Sequence, residues 1–195
     1  MVRILEKQLD KMNSEELGRL FPIIISEHNP MWNALYLSEK TNLEQRIGLK
    51  NIIRTNHFGS TSVSNLYAKP TIDILLEIQN DMDTDEIISL IKGIGYNYSP
   101  QPNNPAPYMM FMKGYTQGGF NGQAYHVHVR YSGDWDELYF RDYLVLYPEI
   151  AEKYGQLKLQ LKEQYEFDRD GYTSAKSSFI KSVTDQARKE LGNRY

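Results

Sequence analysis

The chain contains no cysteine, which excludes disulfides, thiolate zinc centres and cysteine nucleophiles and leaves no sign of an oxidising compartment. It also lacks any apolar run approaching the roughly 20 residues that a membrane-spanning helix needs. Its opening stretch, Met1-Val2-Arg3-Ile4-Leu5-Glu6-Lys7, carries charge where a signal peptide carries its apolar region. These absences predict a soluble cytoplasmic protein without a membrane partner. A surplus of positive charge is missing too: 22 Lys and Arg against 25 Asp and Glu give a net charge of -3. That balance argues against a general grip on nucleic acid but leaves room for a local patch that holds a small anion.

What is present is an ordinary globular composition, with 41% hydrophobic residues in 195, enough to bury a core. No internal repeat or linker divides the chain, so one domain over 1–195 is expected, opened by an N-terminal helical extension over 1–21. In that extension Leu17, Leu20 and Phe21 share a helical face behind Ser14-Glu15-Glu16. Pro22 to Ser26 reads as a short extended run, and Asn29-Pro30 opens a helix over 31–47 carrying Trp32, Leu35, Leu37 and Leu43. Strands are expected over 49–58 and 71–78, a helix over 84–92 and a strand near 96–98. The Pro-rich piece from Pro100 to Pro107 should stay out of any ladder. Two further strands, 108–115 and 124–131, flank a glycine-rich connection over 116–122. Three helices follow, over 134–147, 148–165 and 173–191, with Pro148 well placed to start the second. The fold class is α+β or α/β: a mixed sheet with packed helices and a C-terminal helical segment.

The chemistry concentrates at two points. His57-Phe58-Gly59-Ser60-Thr61-Ser62 joins an apolar strand to a sharp turn, and such a turn presents backbone amides and hydroxyls to a phosphate. Thr71-Ile72-Asp73-Ile74-Leu75-Leu76-Glu77 follows, a strand whose residues 73, 75 and 77 share a face. Asp73, inside an apolar run, needs a metal or cationic partner. His126 and His128 alternate onto one face of a later strand. Lys69 precedes the Asp73 strand, Arg141 sits in a helical segment next to Asp142, and Lys176 opens the last helix, where a cation opposes the dipole and needs another reason. His57 is read as structural and His28 as a surface residue. The candidate phosphate-binding set is Gly59, Ser60, Thr61, Ser62, Lys69, Arg141 and Lys176; the candidate metal ligands are Asp73, His126 and His128.

With His57 to Val63, Ala68 to Leu75, His126-Val127-His128-Val129, Phe140 to Leu144 and Tyr172 to Lys176 appearing in that order, the chain resembles the GrpB family over roughly residues 22 to 185. Behind that family stands the polymerase-beta-type nucleotidyltransferase superfamily. The resemblance implies a nucleotidyltransferase-like fold, a nucleotide or phosphorylated small molecule as partner, and a divalent metal, Mg²⁺ or Mn²⁺, with Zn²⁺ as a further candidate. In the superfamily pattern Phe58-Gly59-Ser60 fits the turn and Asp73 fits the first of two acids that flank an apolar residue. Leu75 stands in the second acidic position. Glu77 lies about 13 Å from Asp73 along a strand, too far to share one ion. Asp73 with the two imidazoles makes a donor set better suited to Zn²⁺, Mn²⁺ or Fe²⁺ than to Mg²⁺. Three expectations therefore stand side by side: a metal-dependent transferase of nucleotidyl or phosphoryl groups with Asp73 as catalytic metal ligand, a module without turnover that keeps the fold and its cleft for a ligand or a partner protein, and a metal-dependent hydrolase using His126 and His128.

Overall fold

The protein is described from a computed structural model, which covers residues 9–101, 104 and 107–195, with only the backbone of Asp10. The start of the expected N-terminal extension, residues 1–8, and Pro102, Asn103, Pro105 and Ala106 of the Pro-rich piece lie outside the described residues.

Helix α1 (Ser14–Leu20) begins at Asn13, whose side chain accepts from the Glu16 amide while Glu16 reaches back to the Asn13 amide. This reciprocal cap satisfies two otherwise orphaned donors. Leu17 and Leu20 pack with Phe21 against Tyr115 and Ala124, so the expected helical face is buried. Helix α2 (Met31–Ile47) follows Pro30 with the expected bounds. Its buried face carries Trp32, Tyr36, Leu43 and Ile47, whereas Leu37 is exposed. The 3.6-residue period puts 32, 36, 43 and 47 on one stripe and turns 37 away from it.

Strands β1 (Ile52–Phe58), β2 (Thr71–Ile78), β3 (Asn97–Pro100), β4 (Met109–Thr116) and β5 (Gly119–Tyr131) form one sheet in the order β1-β2-β5-β4-β3. The β2–β5 pair is parallel and the other pairs are antiparallel. The sheet is therefore mixed, as the sequence predicts. Ile72, Ile74, Leu76, Val127, Val129 and Phe111 point to one face, where they pack against α2 and α3 (Thr84–Lys92). Residues of the opposite parity point to the other face, where α4 (Asp136–Leu146), α5 (Pro148–Tyr165), α6 (Arg169–Ala175) and α7 (Ser177–Leu191) are gathered. There Leu138 of α4 closes over Phe58 and Leu75.

Four sequence expectations are corrected. Residues 49–51 form a 3₁₀ turn, so β1 starts at Ile52. Pro100 does join a ladder, opposite Met109; β3 is an edge strand, where a missing N–H on the open side disturbs no partner. The β4–β5 connection is shorter than read, because Thr116 and Gly119 already pair and residues 119–123 extend β5. The Thr116 hydroxyl, donating to the Gly119 carbonyl at 2.8 Å, fastens that turn. Finally, the expected helix over 173–191 is broken at Lys176, which closes α6 and opens α7.

Candidate metal and phosphate site

The site is built on the face of the sheet that carries α4–α7. Position 59 turns with φ 73° and ψ 179°, a backbone region open to glycine and costly for any side chain. A Cβ there would lie 2.4 Å from Oδ2 of Asp73. Glycine thus lets the turn close directly over the carboxylate that β2 presents.

The parallel β2–β5 pairing puts Asp73 in register with His126 and Leu75 with His128. Asp73, His126 and His128 each bring one ligand-type atom within 4.8 Å of the others. Nδ1 of His126 lies 3.3 Å from Oδ1 of Asp73, and its Nε2 pairs with the Tyr115 hydroxyl at 2.8 Å. The Tyr115 ring also stacks on the imidazole. Burial pushes the Asp73 carboxyl up, but the hydrogen bond and charge of His126, with the charges of His128 and Lys69, outweigh it and hold the group below the usual carboxylate range. Burial pulls His128 down to about 4, so its ring is neutral at physiological pH. Its buried Nδ1 has no hydrogen-bond partner among the described residues. A neutral imidazole with an unpartnered nitrogen, beside an ionised carboxylate and an imidazole braced by a hydroxyl, fits a divalent transition metal.

A two-acid magnesium site is not available on this strand. Leu75 packs against Phe58 and Leu138. Glu77, fully buried, accepts from Arg54, from the Gly133 amide at 2.9 Å and from the Trp135 indole at 3.1 Å, so its oxygens are engaged in structure.

Beside Asp73 lies a group of lysines. Lys158, from α5 and only 2% exposed, donates to Oγ of Ser60 at 2.9 Å and to the Tyr67 carbonyl, over the ring of Tyr154. Lys69 and Lys176 lie over the ring of Tyr172, 5.5 and 4.5 Å from its centroid. Burial, compounded by the charges of Lys176 and Lys69, drives the Lys158 amine down to about 6. Lys69 falls to about 8 through burial and the Arg169 charge, and Lys176 to about 8 through burial and the Lys69 charge. Among the described residues no ion pair is recorded for these three amines. Three amines brought together, one buried and two half-buried, with no ion pair among the described residues, suit an anion.

The other expected residues divide. The Thr61 hydroxyl donates to the Thr71 carbonyl and contacts His57 Nε2, both at 3.0 Å, and the Ser62 hydroxyl donates to the Gly59 carbonyl at 2.6 Å. These two side chains hold the turn's shape. Arg141 donates to the His57 carbonyl, Asp142 and the Tyr195 hydroxyl; every nitrogen of its guanidinium is engaged away from the lysines. His57 stacks on Tyr36, its ring centroid 4.7 Å away, on the α2 side of the sheet, the structural place expected for it. His28 is half-buried against Trp32 instead of lying on the surface.

Lys158 and Tyr115 were not singled out from sequence. Lys158 did leave a signal: Ala151, Tyr154, Gly155 and Lys158 share one helical stripe of α5 and all are buried, and a lysine on an apolar stripe is unusual enough to be suspect. Tyr115 left none, since its role depends on the β4–β5 pairing.

The GrpB protein family matches residues 22–186. The UPF0157 protein YqkA of Bacillus subtilis is 33% identical over 165 residues, 83% of this chain and 46% of that protein. The Glutamate-rich protein GrpB of Alkalihalophilus pseudofirmus is 29% identical over 167 residues, 84% of this chain and 95% of its own length. The crystal structure of conserved protein GrpB from Enterococcus faecalis superposes with a TM-score of 0.76 at 31% identity, over 86% of this chain and 99% of that one. The chain thus spans about half of YqkA and nearly all of the two GrpB proteins. Among the described residues no helix is long and apolar enough to cross a membrane.

Proposed function

The chain belongs to the GrpB family, and from its site we propose that it binds a nucleotide or related phosphorylated small molecule between the Gly59-Ser60 turn and α5–α6, and transfers a nucleotidyl or phosphoryl group with a divalent metal. One observation carries this reading: Lys69, Lys158 and Lys176, drawn from separate parts of the chain, converge with Ser60 beside the Asp73–His126–His128 cluster. Burial depresses all three amines, most of all Lys158, which is largely uncharged near neutral pH while Lys69 and Lys176 stay mostly protonated, and a phosphate chain gives each a counter-charge. Asp73 and the two imidazoles hold the ion. A metal bound there supplies Lewis-acid polarisation of a phosphoryl oxygen. Ser60 and the lysines orient the phosphates, the Tyr115 hydroxyl keeps the His126 ring turned towards Asp73, and no covalent nucleophile is required.

Leu75 favours a second reading, in which the same cleft holds a ligand without turnover. Isothermal titration calorimetry with ATP, CTP and coenzyme A, each with Mg²⁺, Mn²⁺ or Zn²⁺ and without metal, separates the two. Metal-dependent binding that disappears in Asp73→Asn supports the transferase reading. Binding indifferent to metal and to Asp73 supports the module, and no phosphate-ligand binding in any condition overturns both.

A further inference from the structure

Helices α4–α7 do not reach across the whole of their face of the sheet. Over its β4–β3 half lies a cleft of 1170 Å³, walled by α1, the start of α6 and the strands themselves. Its floor includes Met112, which sits opposite His126 in the β4–β5 register, and Tyr115, whose hydroxyl holds His126 Nε2. Moving across the sheet, one meets the Gly59-Ser60 turn, Asp73, His126 and then this cleft. The metal-type cluster therefore lies between the Gly59-Ser60 turn and the cleft. A smaller cavity of 150 Å³ that includes Lys69 and Thr71 shares Tyr115 and Arg169 with the larger one, so the two compartments meet at that pair.

We infer that this cleft binds a second ligand, an uncharged ring-shaped molecule bearing hydroxyls, of nucleoside or glycoside size, seated against Tyr115, the residue that joins the cleft to the cluster. Charge decides the class. The charged side chains described around the cleft are Lys92, Arg169 and Asp170. Arg169 already donates to the Phe21 carbonyl at 2.8 Å, and Asp170 accepts from the Ser14 hydroxyl at 3.4 Å. Among the described residues a polycation finds no acidic wall there, and an oligonucleotide finds no basic one. Asn97, Ser99 and Gln117 supply neutral hydrogen-bonding groups around an apolar floor formed by Met112, Leu17 and Phe21, the usual lining for a neutral, amphipathic small molecule.

The role of this ligand as acceptor rests on the transfer reading above. In that role its hydroxyl oxygen bonds phosphorus, the bond from phosphorus to the departing phosphate oxygen breaks, and the hydroxyl proton leaves with the departing phosphate. Binding itself does not depend on the reading, and the test keeps the two apart. Methyl-labelled methionine NMR follows the Met112 signal, assigned by Met112→Leu, during titration with adenosine, cytidine, uridine and methyl glucoside. Spermidine and a dinucleotide serve as charged comparators, and inorganic tripolyphosphate as the probe for the lysine group. At least one neutral probe shifts Met112 saturably, shifts it equally in Lys158→Met, and binds at least tenfold more weakly to Asn97→Trp, which fills the cleft from an exposed edge-strand position. The inference is overturned if no neutral probe moves Met112, if a charged comparator binds more tightly than every neutral one, or if tripolyphosphate displaces the neutral probe. A neutral probe that binds while tripolyphosphate does not leaves the cleft standing and sinks the phosphate reading instead.

Discussion

The Cβ absent from Gly59 would sit 2.4 Å from Oδ2 of Asp73, so the candidate phosphate turn and the acid of the candidate metal cluster are packed as one piece. Gly59→Ala therefore strains the backbone and displaces the carboxylate together. The backbone term alone is about 1–3 kcal/mol, read as a lower urea midpoint. Divalent-metal binding by the folded variant should fall as well; full metal affinity in Gly59→Ala would show that the turn and Asp73 are not coupled.

Tyr115 supports the cluster without joining it. Its hydroxyl bonds Nε2 of His126 at 2.8 Å, and outer hydrogen bonds of this kind typically contribute about 10- to 100-fold to metal affinity. Tyr115→Phe should weaken Zn²⁺ or Mn²⁺ binding within that range while the ring contacts with Phe21 preserve the fold. Competition against a chromogenic chelator measures it.

Lys158 sets a pH dependence. Its amine is depressed from 10.5 to about 6, so between those values the unfolded chain holds a proton that the native protein does not. Native stability from this residue is therefore lowest below about pH 6 and rises with pH through the window up to about 10.5. Affinity for an anion runs the other way, because the anion favours the protonated amine. Tripolyphosphate binding should weaken as pH climbs above about 6, with proton uptake visible as a buffer-dependent calorimetric heat. Both slopes should flatten in Lys158→Met; a wild-type slope retained in that variant would place the titration elsewhere.

Glu77 is the acid of β2 that lies outside the candidate metal cluster. With its side chain fully buried and held by Arg54, Gly133 and Trp135, Glu77→Gln breaks a buried ion pair and should cost about 3–5 kcal/mol of stability. Metal affinity of the folded fraction should be unchanged. Chemical denaturation and chelator competition on the same preparation distinguish this from a ligand role.

Much of this was legible locally. The alternation in Thr71 to Ile78 gives the strand its bounds and tells which of its residues share a face, and Asp73 and Glu77 do lie on the same side. The Pro30 and Pro148 starts and the helix over 84–92 also follow from short-range rules. Failures appear where a neighbour from elsewhere intervenes. Arg141 read as a possible anion ligand, yet the Tyr195 hydroxyl and the His57 carbonyl occupy its nitrogens. The continuous apolar spacing over 173–191 gave no warning of the break at Lys176.

The sequence by itself determined the α+β class, the glycine turn and the set of an aspartate and two histidines, because backbone sterics and side-chain period act over a few residues. Tertiary structure alone decided that β2 lies parallel to β5, which turns Asp73 and His126 from distant positions into register partners. It also decided that a lysine of α5 reaches Ser60. Those outcomes depend on the free energy of burying whole faces of sheet and helix against one another, a quantity that no short window of residues contains.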